Sequence, residues 1–206
     1  MIIEYQYLQN QPNIKMIKKI TLLFFVVFTS AIAQSIDFYQ EKIELTVCKN
    51  YFEITGTYHF KNTSAKDYKH SLYYPFVIDE TTEYPFEINV FDDKSDKQID
   101  FLKAKEGVYF PIAVNKNDTS VYIVKYKQKI SGNKAEYILT TTAQWGKPFT
   151  IAEYIITVPD RIQAFEISFS YDSVELRNKN KIYRITKRNF LPNKNLVVRW
   201  KRKLHK

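Results

Sequence analysis

Few residues in this chain could do chemistry, and their spacing limits what that chemistry could be. Cys48 is the only cysteine, so no intrachain disulfide can form, and it closes an alternating run of Ile43, Leu45 and Val47. A thiol nucleophile needs a base poised beside it. The histidines are His59, His70 and His205. His59 falls on the same strand face as Glu53, Thr55 and Thr57, opposite the apolar set Phe52, Ile54, Tyr58 and Phe60. That pattern predicts a structural thiol, not a Cys–His pair. No G-x-S-x-G, H-E-x-x-H, phosphate-loop or dinucleotide-binding glycine pattern occurs. The expectation is a protein that is not an enzyme and needs no cofactor.

Three further groupings are candidates for binding. Asp92, Asp93, Asp96 and Asp100 place four carboxylates within nine residues, the oxygen-rich set that calcium favours. The same stretch is also an ordinary hairpin turn, and it lacks the glycine and terminal glutamate of a helix–loop–helix calcium loop. Tyr73, Tyr74 and Tyr84 flank an acidic connection, and Trp145 stands in a Gln-Trp-Gly-Lys-Pro break. Such rings could stack on sugar faces or simply pack a glycine-poor core. Residues 177–206 hold 12 Lys and Arg and no Asp or Glu, ending in Lys201, Arg202, Lys203 and Lys206. This basic end could be a solvated face, could pair with the acidic stretch 79–100, or could bind a surface polyanion. Trp200 alternates with Leu196 and Val198, which marks it as core. With no interleaved stacking platform, nucleic acid is not an expected partner.

The elements that must position these residues begin after an export signal. Lys18 and Lys19 precede the apolar run 20–28, and Ala31-Ile32-Ala33 supplies a small–x–small cleavage site. That core is too short to span a bilayer, which takes about 20 apolar residues. The reading is a signal at residues 16–33, a mature chain beginning at Gln34, and a work place in the periplasm, at the cell surface or in the medium. Residues 1–15 do not resemble a signal; either translation starts at Met16, or they form a longer leading segment removed with it. No cysteine follows the cleavage site, so no lipid anchor is expected there, and the mature form carries no transmembrane span.

The chain contains 16 tyrosines and 15 phenylalanines against 4 glycines, and its mature part has a composition suited to pleated, half-buried surface. Short period-2 runs recur every 8–12 residues, the spacing of sandwiches and barrels. The clearest is 52–60, where Gly56 on the apolar face predicts a bulge or a tight approach. Ser120 to Ile130 is a long strand with Tyr122, Val124 and Tyr126 on one face. Residues 98–103, 136–143, 165–169, 181–186 and 196–201 are further expected strands, and 107–113 is expected at an edge because Pro111 cannot donate to a ladder. The prediction is an all-β, two-layer antiparallel sandwich of about eleven or twelve strands, with a soft boundary near 103–106.

Tyr74-Pro75-Phe76 recurs ten residues on as Tyr84-Pro85-Phe86. That pair, with the run from Tyr137 to Pro159, resembles uncharacterised exported β-sandwich proteins of bacteria. The resemblance implies no activity and no functional residue. The expected role is that of an exported, non-catalytic protein mediating protein or cell-surface contacts, with an edge strand adding to a partner sheet as the leading mode; the alternative is carbohydrate binding through Trp145 and the Tyr73–Tyr84 region, and an enzyme is a distant third.

Overall fold

The computed structural model describes residues 36–201, without the side chains of residues 143, 144 and 163–165. These residues belong to one compact unit. The first two strands, β1 (Ile36–Val47) and β2 (Tyr51–Asn62), form a long hairpin in which Cys48 N–H donates to the Tyr51 carbonyl at 2.9 Å. Period 2 buries Phe52, Ile54, Tyr58 and Phe60 on one face of β2. In β1 the alternation slips once. Tyr39 is an extra residue in the pairing between Phe38 and Gln40, so Ile36 and Phe38 face inward before it and Glu41, Ile43 and Leu45 after it.

Five strands follow in alternating layers: β3 (Tyr68–Pro75), β4 (Glu87–Asp92), β5 (Lys97–Gln98), β6 (Leu102–Ala104) and β7 (Gly107–Val114). Then come β8 (Thr119–Lys129), β9 (Lys134–Tyr137), a 3-10 turn (Thr140–Trp145), β10 (Phe149–Pro159) and β11 (Gln163–Ile167). The chain ends in β12 (Ser173–Arg177), β13 (Asn180–Phe190) and β14 (Leu196–Lys201). One eight-stranded sheet has the order β12-β13-β10-β1-β2-β8-β4-β5. Two three-stranded sheets, β3-β7-β6 and β11-β14-β9, supply the other side of the core. The fold is therefore the expected all-β, sandwich-like class, with one pairing of the other sense: β1 and β10 run parallel.

The core lies between the sheets and is rich in rings. Phe38 stacks on Phe60 at 4.9 Å and meets Phe149 edge-on at 4.8 Å, and Tyr154 stacks on Phe169 at 6.0 Å. Leu196, Val198 and Trp200 are buried together, as their alternation requires. Gly56 accommodates a tight approach, because a Cβ there would collide with the ring of Tyr58, two residues on and on the same face.

Several expected elements come out differently. β7 is the middle strand of its sheet, not an edge. Pro111 is tolerated there because β6 reaches only Gly107, Val108 and Tyr109, so β7 has β3 alone as a neighbour at Pro111. The strand expected over 136–143 stops at Tyr137. Asn195 accepts from Leu139 N–H, Thr140 N–H and the Thr140 hydroxyl at 3.1–3.3 Å, and Thr142 N–H closes a tight turn onto the Leu139 carbonyl. The strand expected over 98–103 is split between β5 and β6, which lie in different sheets. Lys105 and Glu106 then make the turn of the β6–β7 hairpin. Residues 173–177, not expected as a strand, form β12.

Candidate functional site

Most of the sequence candidates are not assembled into sites. Cys48 and His59 sit at opposite ends of the β1–β2 hairpin, seven residues apart along β2 from the Val47–Phe52 pair, about 23 Å at the rise of a strand. Burial pushes the Cys48 thiol up, the opposite of an activated nucleophile, and burial lowers His59. Among the described residues, no group of three or more His, Cys, Asp or Glu could hold a metal ion, so Asp92, Asp93, Asp96 and Asp100 do not converge. They serve the β4–β5 turn instead: Asp92 accepts from Lys94 N–H at 3.0 Å, and Asp96 takes the left-handed backbone conformation at φ 51°.

The aromatic candidates separate. Tyr74 is buried, and its hydroxyl lies 2.8 Å from that of Tyr58. Tyr84 packs edge-on against Phe76 and donates to the Gly107 carbonyl at 2.9 Å. Trp145 leans on Phe38 and Phe60 with centroids at 5.8 and 5.6 Å. Tyr74 is enclosed in the core, while Tyr84 and Trp145 are partly buried, each packed on one side against these core neighbours. Tyr73 alone presents itself, 41% exposed and 4.8 Å from its cross-strand neighbour Tyr109.

At the basic end, Lys201 closes β14 and is exposed, while Arg202, Lys203 and Lys206 lie outside the described residues. Among the described residues no ion pair joins this end to the acidic stretch 79–100. Asp79, Glu83 and Glu87 pair with Lys134, Lys129 and Lys127, and Arg184 pairs with Glu175. The hydrogen bond from Lys134 holds Asp79 well below the usual carboxylate range, and the same bond raises Lys134.

The interior holds a polar cluster that spacing did not reveal. The Tyr58 hydroxyl lies 2.8 Å from Tyr74 of β3 and 2.9 Å from Tyr137 of β9, joining both smaller sheets to β2. Glu41 is fully buried on the adjacent strand, and its carboxyl accepts from the Tyr154 hydroxyl at 2.8 Å. Burial pushes Glu41 up to about 8, the Tyr154 bond only partly offsetting it, so the group is protonated in the folded protein at neutral pH. Burial likewise drives Tyr58, Tyr74 and Tyr137 well above the ordinary phenol. These buried, uncharged hydroxyls hold the layers together.

The feature that faces outward is β12. It is the terminal strand of the large sheet, and all five of its residues are exposed. Arg177 pairs with Asn180 across a two-residue turn, with Asn178 and Lys179 both at positive φ (51° and 58°), the turn that matches strand twist. Asparagine suits that position, and a reading that weighted Asn178 could have found the hairpin. Antiparallel alternation then aims the backbone groups of Ser173, Glu175 and Arg177 at β13, and those of Val174 and Leu176 off the edge. Asp172 ends the ladder: its N–H donates to the Arg184 carbonyl at 2.8 Å and its carboxylate accepts from Thr186 N–H. The side chains of Val174 and Leu176 share a face with Tyr183 and Lys181, and are 48% and 69% exposed.

No family model and no curated protein matches this sequence. Among solved structures, the chain is similar to a Legionella pneumophila protein named a "putative nutrient binding protein", at a TM-score of 0.62 and 17% identity over 80% of this chain and 66% of that one. It is also similar to an M1 zinc metallopeptidase of Deinococcus radiodurans bound to a Tyr-Ser-Ala substrate, at a TM-score of 0.53 and 12% identity over 81% of this chain and 43% of the peptidase. The chain thus spans less than two thirds of the first protein and less than half of the second. At these identities the likeness is one of fold.

Proposed function

We propose that this chain is an exported, non-catalytic binding protein that contacts other envelope or secreted proteins by strand addition at β12. The observation that carries the reading is the β12 edge itself: a terminal strand, exposed at every residue, with two apolar side chains in the open. Free edges are templates for pairing, and proteins that do not use them blunt them. The opposite end of the same sheet is blunted in that way, since β5 has two residues, Lys97 and Gln98. The binding role named for the Legionella protein agrees with this reading. No helix among the described residues is long and apolar enough to cross a membrane.

A photo-cross-linker at Leu176 should give a discrete protein adduct in intact cells, while the same label at Leu102, equally accessible on another sheet, should not. Identical patterns from both positions, or none at Leu176, would remove the reading. The protein recovered from the envelope or medium should begin at Gln34 by intact mass.

A second reading, carbohydrate binding, keeps one specific support. Tyr73, Tyr109 and Leu102 form a cross-strand row on β3, β7 and β6 with all three side chains exposed. A glycan-array signal abolished by Tyr109→Ala, in a protein that still folds, would favour it over strand addition.

A further inference from the structure

Resting on the carbohydrate reading above, we infer that the outer face of the β3-β7-β6 sheet takes a single pyranose ring with equatorial hydroxyls, stacked on Tyr73. The Tyr73 ring does not stand upright on the sheet. A Cβ on Gly107, its diagonal neighbour on β7, would lie 2.7 and 2.8 Å from the ring's Cε2 and Cζ, so the ring leans across the strand pair and covers that glycine. Gly107 is accordingly buried, although Tyr109, Pro111 and Ala113, on the same side of β7, are exposed. Tyr73 itself is 41% exposed. One side of the ring is thus held against backbone while much of it stays in the open, an aromatic surface fixed before any ligand arrives.

Tyr109 sets the shape of that surface. Its ring centroid is 4.8 Å from that of Tyr73, with the planes 41° apart, so the two rings touch and enclose no space between them. This is a plate for a flat ligand and not a cage, the arrangement that suits a methylated ammonium ion. Leu102 extends the row on the far side of Tyr109. Two rings in contact and one leucine offer stacking area for one sugar ring, not for a chain of them.

Polar groups stand at the rim. Lys105 and Glu106 make the turn of the β6–β7 hairpin, their charged groups 3.8 Å apart and both exposed. Burial, then the Tyr109 phenol and the Glu106 carboxylate, raise the Tyr73 hydroxyl above its ordinary value, which places that carboxylate near the ring. The Tyr84 hydroxyl donates to the Gly107 carbonyl at 2.9 Å, leaving its oxygen able to accept. Equatorial hydroxyls radiate in the plane of a pyranose and can reach a carboxylate, an ammonium and a phenol at the rim while axial C–H groups rest on the aromatic ring. An axial hydroxyl on the stacked side would lift the sugar away.

The test titrates the mature protein with cellobiose, cellohexaose and tetramethylammonium, read by saturation-transfer NMR. Cellobiose should bind, and tetramethylammonium should not displace it. Cellohexaose should bind no more than about threefold tighter, the statistical gain of six rings over two. Tyr73→Ala should weaken cellobiose by about tenfold or more, and Tyr73→Phe should keep it within about twofold, because stacking needs the ring and not the hydroxyl. Tyr73→Leu still covers Gly107 and should give the same loss should Tyr73→Ala fail to fold. Cellobiose binding unchanged in Tyr73→Leu overturns the platform, and a glycan-array signal still abolished by Tyr109→Ala would then leave the carbohydrate reading standing. Cellohexaose binding about tenfold tighter than cellobiose overturns the single-ring site. Array signals confined to axially substituted sugars overturn the equatorial preference. Displacement of cellobiose by tetramethylammonium overturns the sugar in favour of a cation. No sugar bound in either assay overturns both this inference and the carbohydrate reading.

Discussion

At the middle of the large sheet, β1 and β2 set Glu41, Tyr58 and Phe60 beneath the smaller sheets, and all three are buried. At the β12 end the same inner face continues through Tyr183 to Val174 and Leu176, which stand in solvent. The residue types do not explain the difference, for the covered middle holds a carboxyl and four phenols while the open end holds valine and leucine. Coverage does. A layer of strands above the middle excludes water, so polar groups there survive only by pairing with one another, and apolar groups beyond the layer remain available to something else.

The largest expected contrast follows from that difference. Phe60→Ala should cost about 3–5 kcal/mol, whereas Leu176→Ala should change stability by no more than about 0.5 kcal/mol. Urea unfolding of both variants checks it, and a costly Leu176→Ala would mean that the open end is covered after all.

The main loss of stability toward alkaline pH should arise from the middle. Glu41 is raised from 4.5 to about 8, so the folded state keeps a proton that the unfolded chain releases. The stabilising contribution is complete below about pH 4.5, falls as pH rises from there, and is gone above about pH 8, a change of several kcal/mol in all. Glu41→Gln retains an acceptor for Tyr154 and should flatten this slope between pH 5 and 8.5. A slope unchanged in the variant would place its origin elsewhere.

Next in size, Tyr58→Phe leaves the buried Tyr74 and Tyr137 hydroxyls without the oxygen that joins them. The expected cost is about 1–3 kcal/mol for each orphaned group, read from the denaturant midpoint. The smallest effect belongs to the open end and has the opposite sign. Lys179 holds a left-handed conformation, so Lys179→Gly should stabilise the hairpin by up to about 1 kcal/mol, seen as slower amide exchange across β12.

The sequence by itself determined which residues face inward within a strand. The alternation of Phe52, Ile54, Tyr58 and Phe60, of Tyr122, Val124 and Tyr126, and of Leu196, Val198 and Trp200 is local information, and each of those sets is buried. The shift from even to odd inward positions across Tyr39 was written in β1 as well, for a reader who looked for a bulge. Only the tertiary structure decided which strand lies beside which and where the covering layers end. The parallel pairing of β1 with β10 joins segments more than a hundred residues apart, and no turn between them encodes it. Whether Tyr73 or Tyr74 reaches solvent depends on the pairing of β3 with β7, and whether Val174 and Leu176 are core or contact surface depends on strands that stop short of them. Period fixes a face, because side chains alternate along one strand; exposure is fixed by neighbours, and those arrive from distant parts of the chain.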